Sequence, residues 1–167
     1  MASFTKNQIG IAVGAGALLV LIFLGYLWWL SNQPPVLARS EEHDPLTGLP
    51  VEIKLNPLRD RSTEHAANKF LRELRDGHCD DVLAEWERDY RKKYAHFICN
   101  SEAQHPLISW DLVEWEEAPP LIILHYRAKR IANAGPARPG VDQSDLFTVT
   151  LDHRSGDWVV SKYDAMY

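Results

Sequence analysis

Apolar and polar positions change their spacing three times along the chain. From Ile9 to Leu30 (IGIAVGAGALLVLIFLGYLWWL) no charge and no proline interrupts a run of small, aliphatic and aromatic residues. Residues 31–61 have no period and hold Pro34, Pro35, Pro45, Pro50 and Pro57. From Ser62 the apolar positions recur at helical spacing, and from Pro106 they recur every second residue. The periods 3.6 and 2 separate helix from strand, so the pattern predicts an apolar helix, an extended linker, then helices followed by strands.

The run at 9–30 has about the ~20 residues that a helix needs to cross a bilayer. Unpaired backbone groups are not tolerated in hydrocarbon, so such a run spans as a helix or not at all. Tyr26, Trp28 and Trp29 crowd its end and would suit the headgroup layer. Gly10, Ala12, Gly14 and Gly16 place small residues at four-residue spacing, which lets a second helix approach closely. A cleaved leader, with Val36 and Ala38 before Arg39, competes with this reading. A leader's apolar core is ~7–15 residues, however, and this run is longer. Lys6 lies nearer the run than Arg39, which orients residues 1–8 as a cytoplasmic tail and 62–167 as an extracytoplasmic domain. In a bacterium the chain would then be a single-pass inner-membrane protein with a periplasmic domain.

In the linker at 31–61, Val51–Leu55 alternates and could form a short strand. Ser62 or Thr63 can cap a first helix carrying Ala66, Ala67, Phe70, Leu71 and Leu74 on one stripe, and Gly77 is placed to end it. Asp80 or Asp81 opens a second helix with Val82, Leu83, Trp86 and Tyr90 inward. Arg88, Arg91, Lys92 and Lys93 give it a solvated face, and Arg91–Cys99 either continues it or forms a further turn. Strands follow at Ile108–Val113 and Leu121–Ala132, with a turn at Glu117–Pro120. After a Gly/Pro-rich loop at Asn133–Gln143, Phe147–Asp152 and Trp158–Tyr163 flank Ser155-Gly156, a hairpin turn. Helices followed by an antiparallel meander make an α+β domain.

The net charge of −5 argues against nucleic acid as a partner. Cys79 and Cys99 lack metal-ligand spacing. They could pair in an oxidising compartment, but only if the second helix is broken. A straight helix would hold their sulfurs ~30 Å apart, and a bridge needs Cα atoms within about 7 Å. No phosphate loop, nucleophile motif or metal cluster stands out, so no catalytic residue, metal or cofactor is assigned. Tyr90, Tyr126, Asp89 and His96 are the groups that could serve a catalytic pocket. Tyr90 and Tyr126 read more simply as core tyrosines, and His96 as structural. On the outer sheet face, strict alternation would align Asp111, Val113, Trp115, His125, Arg127, Lys129, Thr148 and Thr150. An aromatic and an arginine among small polar groups is the composition of an interface core, so Trp115, His125, Arg127 and Lys129 are candidate partner-binding residues.

The helix with the FLREL stripe ending in Asp76-Gly77, the second helix, and the closing LFTVTLDHRSGDWVVSKY together resemble the nuclear transport factor 2-like superfamily over residues 62–167. The resemblance implies a cone of helices wrapped by a curved sheet. Small bacterial proteins with one anchor and such a domain outside often resemble this chain, and some are assembly subunits of secretion or lipid-transport machines. Enzymes of the superfamily, such as ketosteroid isomerase, use a pocket aspartate as base and a tyrosine–acid pair as oxyanion donors. No motif here carries those residues over.

The expectation is therefore a non-catalytic accessory or scaffolding subunit of a larger membrane complex, with a slight lean to a photosynthetic or respiratory assembly over a secretion or transport one. Its partners would be other membrane subunits and the lipid bilayer, with self-association through the sheet face as a further option. The alternative is a tethered small-molecule binder or enzyme that uses the cone pocket.

Overall fold

A computed structural model describes residues 6–45, 47–131 and 145–165, without the side chains of residues 6–15, 85 and 145. The elements are α1 (Lys6–Ser31), β1 (Val36–Arg39), β2 (Ile53–Leu55), α2 (Ser62–Arg75), α3 (Cys79–Val82), a 3-10 turn (Leu83–Glu85), α4 (Arg88–Gln104), β3 (Leu107–Ala118), β4 (Leu121–Arg130), β5 (Asp145–Arg154) and β6 (Asp157–Ala165). They form two units, Met1–Ala38 with Lys54–Arg59, and Arg39–Ile53 with Asp60–Tyr167.

In the first unit the apolar run does form a helix, but the membrane anchor expected at 9–30 is corrected. Among the described residues no helix is long and apolar enough to cross a membrane. Side chains of α1 are described only from Gly16 to Ser31. The transmembrane part of the fold class falls with this finding. So do the single-pass and membrane assignments, the inner-membrane location and the periplasmic placement of the domain. The end of α1 is well finished. Asn56, fully buried, donates from Nδ2 to the Leu30 carbonyl at 2.8 Å, and Ser31 Oγ and Asn32 Nδ2 each donate to the Trp28 carbonyl at 2.7 Å. Last-turn carbonyls have no partner inside a helix, and these side chains supply one. The expected linker also holds more order than its prolines suggest, since β1 and β2 form a two-stranded sheet and His43 bridges Pro50.

In the second unit α2 buries Ala67, Phe70, Leu71 and Leu74, the stripe that the helical period predicts. It ends as predicted at Gly77, whose φ of 87° suits glycine. The Gly77 N–H bonds the Leu74 carbonyl at 3.1 Å and the His78 N–H bonds that of Glu73 at 2.9 Å, a Schellman closure. The start differs from expectation. Neither Ser62 nor Thr63 caps the helix, and Asp60 instead accepts the Ser62 N–H and hydroxyl, each at 2.9 Å. The predicted second helix is interrupted. After the 3-10 turn, Trp86 (ψ 156°) and Glu87 (ψ 134°) are extended, and α4 restarts at Arg88. The kink returns the chain so that Cys79 and Cys99 form a disulfide with Cα atoms 5.6 Å apart.

The four strands make one antiparallel sheet in the order β3-β4-β5-β6. Ser155 (φ 54°) and Gly156 (φ 95°) make the tight β5–β6 turn that the sequence predicts. The loop expected at Asn133–Gln143 lies outside the described residues, apart from the strand ends that flank it. Leu124, Tyr126, Ala128, Phe147, Val149, Leu151, Val160 and Tyr163 are buried on the sheet. Helices first, then an antiparallel sheet with a core between them, is the α+β order read from the sequence.

Candidate functional site

The interior of the second unit is a run of packed rings. Trp86 stacks on Phe70 at 5.8 Å, Phe70 meets Tyr163 at 5.8 Å, Tyr163 meets Phe147 at 5.4 Å, and Phe147 stacks on Tyr126 at 5.4 Å. Aromatic pairs in these offset and tilted geometries combine area burial with a favourable quadrupole contact. Of the residues weighed for catalysis, Tyr126 is buried in this run. Burial, with the charge of Glu64 adding, pushes its phenol far above the ordinary value, so it stays protonated. Among the described residues its hydroxyl has no hydrogen-bond partner, and neither does the indole N–H of Trp115. Asp89 and His96 are exposed and face no interior.

The buried acids are held by arginines. Glu102 at the end of α4 receives Arg130 of β4 through both terminal nitrogens, Nη1 to Oε2 at 2.8 Å and Nη2 to Oε1 at 3.0 Å. Arg130 also donates to the His105 carbonyl at 2.7 Å, and the Tyr163 hydroxyl donates to Glu102 Oε1 at 2.7 Å. Both charged side chains are at most 4% exposed. A pair this dry persists only with several such hydrogen bonds beside it. The network ties α4 to β4 and β6, so its part is structural. Glu102 and Arg130 are also ones that sequence reasoning missed. Their signal is a lone charge beside apolar positions of an amphipathic element, which by itself looks no different from a solvated charge.

The outer sheet face differs from the sequence reading at one point with large effect. The β3–β4 register shifts between Leu112 and Glu114, where Val113 is bulged and buried. One extra residue inverts every side chain beyond it. Trp115 therefore sits opposite Leu124 on the core face, 6% exposed, and not beside Arg127. Glu114 takes the outward place and stands opposite His125. It accepts Arg39 Nε onto Oε2 at 2.5 Å and Nη2 onto Oε1 at 2.7 Å, together with the Trp115 N–H at 2.8 Å. Burial alone would raise the Glu114 carboxyl. The bonds from Arg39 and Trp115, and the charges of Arg39 and His125, outweigh it and hold the group below its ordinary value. Next along the face, Arg127 donates to the Val51 carbonyl at 3.4 Å. Residues of the 39–53 segment thus already touch the face expected to meet a partner. His125 makes a 3.4 Å contact with Glu116, and Lys129 is exposed.

A run of exposed apolar side chains belongs to α1, in the first unit. Leu18, Leu19, Val20, Leu21, Ile22 and Phe23 are all more than half exposed, and Trp28 is 72% exposed. Tyr26 and Trp29 share this exposure, with ring centroids 6.1 Å apart. A Cβ added at Gly16 would meet nothing within 4 Å, so nothing in the described chain packs there. Gly10, Ala12 and Gly14 lie in α1, where side chains are outside the described residues.

No family model matches this chain, and no curated protein matches it. Solved structures similar to it include two at 12–13% identity. One is a designed protein of the nuclear transport factor 2-like type, 13% identical, with a TM-score of 0.49 over 64% of this chain and 97% of the other. The second is the solution structure of a SEC-C motif containing protein from Rhodopseudomonas palustris, 12% identical, with a TM-score of 0.48 over 66% and 84%. Likenesses at this level establish no family.

Proposed function

We propose that this chain is a non-catalytic scaffolding or accessory subunit of a larger protein complex, bound to its partner through α1. The observation that supports the reading is the continuous exposure of Leu18–Phe23, with Trp28 and Trp29 beyond. Contiguous apolar surface above a few hundred Å² marks an interaction site. Aromatic and aliphatic side chains of this kind supply the residues whose truncation costs most at protein interfaces. The ring-filled interior and the arginine-paired acids Glu102 and Glu114 favour a framework role over chemistry. For the second unit we infer kinship with the nuclear transport factor 2-like superfamily. That inference rests on the order of helices and meander and on the closing hairpin at Ser155-Gly156.

The test is affinity isolation of the tagged full chain from its host, run beside a Leu21→Glu, Phe23→Glu double variant. The reading expects a stoichiometric protein partner that is lost from the variant, with the melting temperature of the second unit unchanged. Recovery of the same partners by both proteins would overturn it.

A further inference from the structure

A concave surface lies within the second unit, between α4 and the end of β6, and encloses about 440 Å³. Its walls and floor are Tyr90, Tyr94, Phe97, Ile98, Tyr163 and Ala165. The volume falls in the range of small-molecule sites, ~300–1,000 Å³, and so does the make-up of aromatic walls with few polar groups. Three of the rings recur down one side of α4 at i, i+4 and i+7. The Tyr90 and Tyr94 centroids are 4.4 Å apart, and Phe97 is 60% exposed at the rim.

Two charged groups line this pocket, Lys93 and Asp164. Asp164 is ion-paired to Lys162 on its own strand. Lys93 has its ammonium 4.9 Å from the centre of the Tyr94 ring, and among the described residues it is in no ion pair. Its charge is kept firmly: the hydrogen bond to Tyr94, then the Tyr94 charge, raise its pKa against a small opposing effect of burial. Tyr90 remains a neutral O–H donor, since burial, then the charges of Asp164 and Tyr94, push it up to about 12. The site thus offers flat apolar walls, a cation in no ion pair among the described residues, an acid paired to Lys162 and a protonated phenol.

We propose that the α4–β6 pocket binds a small planar aromatic carboxylate, with its ring against Tyr90, Tyr94 and Phe97 and its carboxylate at the Lys93 ammonium. The complement in charge decides for an acid over an amine. An organic cation would have to displace Lys93 from the Tyr94 face and then remain beside it, whereas a carboxylate pairs with Lys93 where it stands. The site lies within the second unit alone.

The experiment uses the full chain and two probes with the same ring, 2-naphthoate and 2-naphthylmethylammonium. Heat of binding gives affinity and stoichiometry, and amide shifts of Tyr94, Phe97 and Ala165 locate the site apart from any contact with α1. Saturable one-to-one binding of the naphthoate is expected, with shifts at those amides and with the ammonium probe about tenfold weaker or more. Lys93→Glu, at an exposed position that should not disturb the fold, should reverse the order of the two probes. Phe97→Ala should weaken both. Equal affinity for the two probes in the native chain, shifts confined to other residues, or no saturable binding would each overturn the proposal. The two-probe comparison on the native chain decides even where a variant fails to fold.

Discussion

Two tyrosines of the same core, Tyr126 and Tyr163, have opposite hydrogen-bonding fates. Tyr163 donates to Glu102 at 2.7 Å and accepts from Arg130 at 2.9 Å. Tyr126 is equally buried, and its hydroxyl has no partner among the described residues. Leaving a buried polar group unpaired costs ~1–3 kcal/mol, while removing it by an isosteric apolar group is near neutral or stabilising. Tyr126→Phe should therefore hold or raise the unfolding midpoint in urea. A clear loss would show that the hydroxyl has a partner after all. Arg130→Met should behave in the opposite way. It strands the Glu102 carboxylate in a site where both side chains are at most 4% exposed. Breaking a dry pair from one side costs ~3–5 kcal/mol. The same urea titration reads this, and a loss under ~1 kcal/mol would mean that water reaches Glu102.

Among the elements, the interrupted helix between Cys79 and Gln104 shows how tertiary contacts override a local period. Val82, Leu83, Trp86 and Tyr90 recur as one amphipathic helix would have them. The chain instead extends at Trp86 and Glu87, which delivers the Trp86 ring onto Phe70 at 5.8 Å and brings Cys99 back to Cys79. The disulfide closes a separation of 20 residues. A loop of that size is worth roughly 3 kcal/mol in the chain-entropy account. Cys99→Ser should lower the stability of the second unit by about that amount in an oxidising buffer. In excess dithiol, native protein and variant should converge. A persistent difference under reducing conditions would place the effect in packing and not in the cross-link. The bulge at Val113 is the matching case in the sheet. Ile108, Trp110 and Leu112 alternate cleanly in the sequence, but nothing there announces an extra residue, and the face of Trp115 inverts as a result.

For the whole molecule, the segment 39–53 depends on a charge that acid removes. Glu114 has a folded pKa below its ordinary 4.5, so its contribution is fully present above that value and is lost as pH falls through the lower folded value. The stability advantage of the native chain over Glu114→Gln should be constant near neutral pH and shrink below about 4.5. An advantage that grows on acidification would reverse the sign and exclude the Arg39 pair as its source. The sequence by itself determined the apolar helix, the stripe of α2, its glycine end, the order of helices before strands and the Ser155-Gly156 turn. Each of these follows from local period or backbone preference, which neighbouring residues set. It also placed His125, Arg127 and Lys129 on one face of β4, since alternation holds within an unbulged strand. Only the tertiary structure decided the rest. Pairing of Cys79 with Cys99 needed the chain to turn back at Trp86. The seat of Trp115 needed a bulge in its own strand, at Val113. The partners of Glu102 and Glu114 lie 28 and 75 residues away, at Arg130 and Arg39. The α4–β6 pocket exists only because two elements distant in the chain enclose it. A one-dimensional pattern records which residues prefer burial, but not which distant group will meet them there.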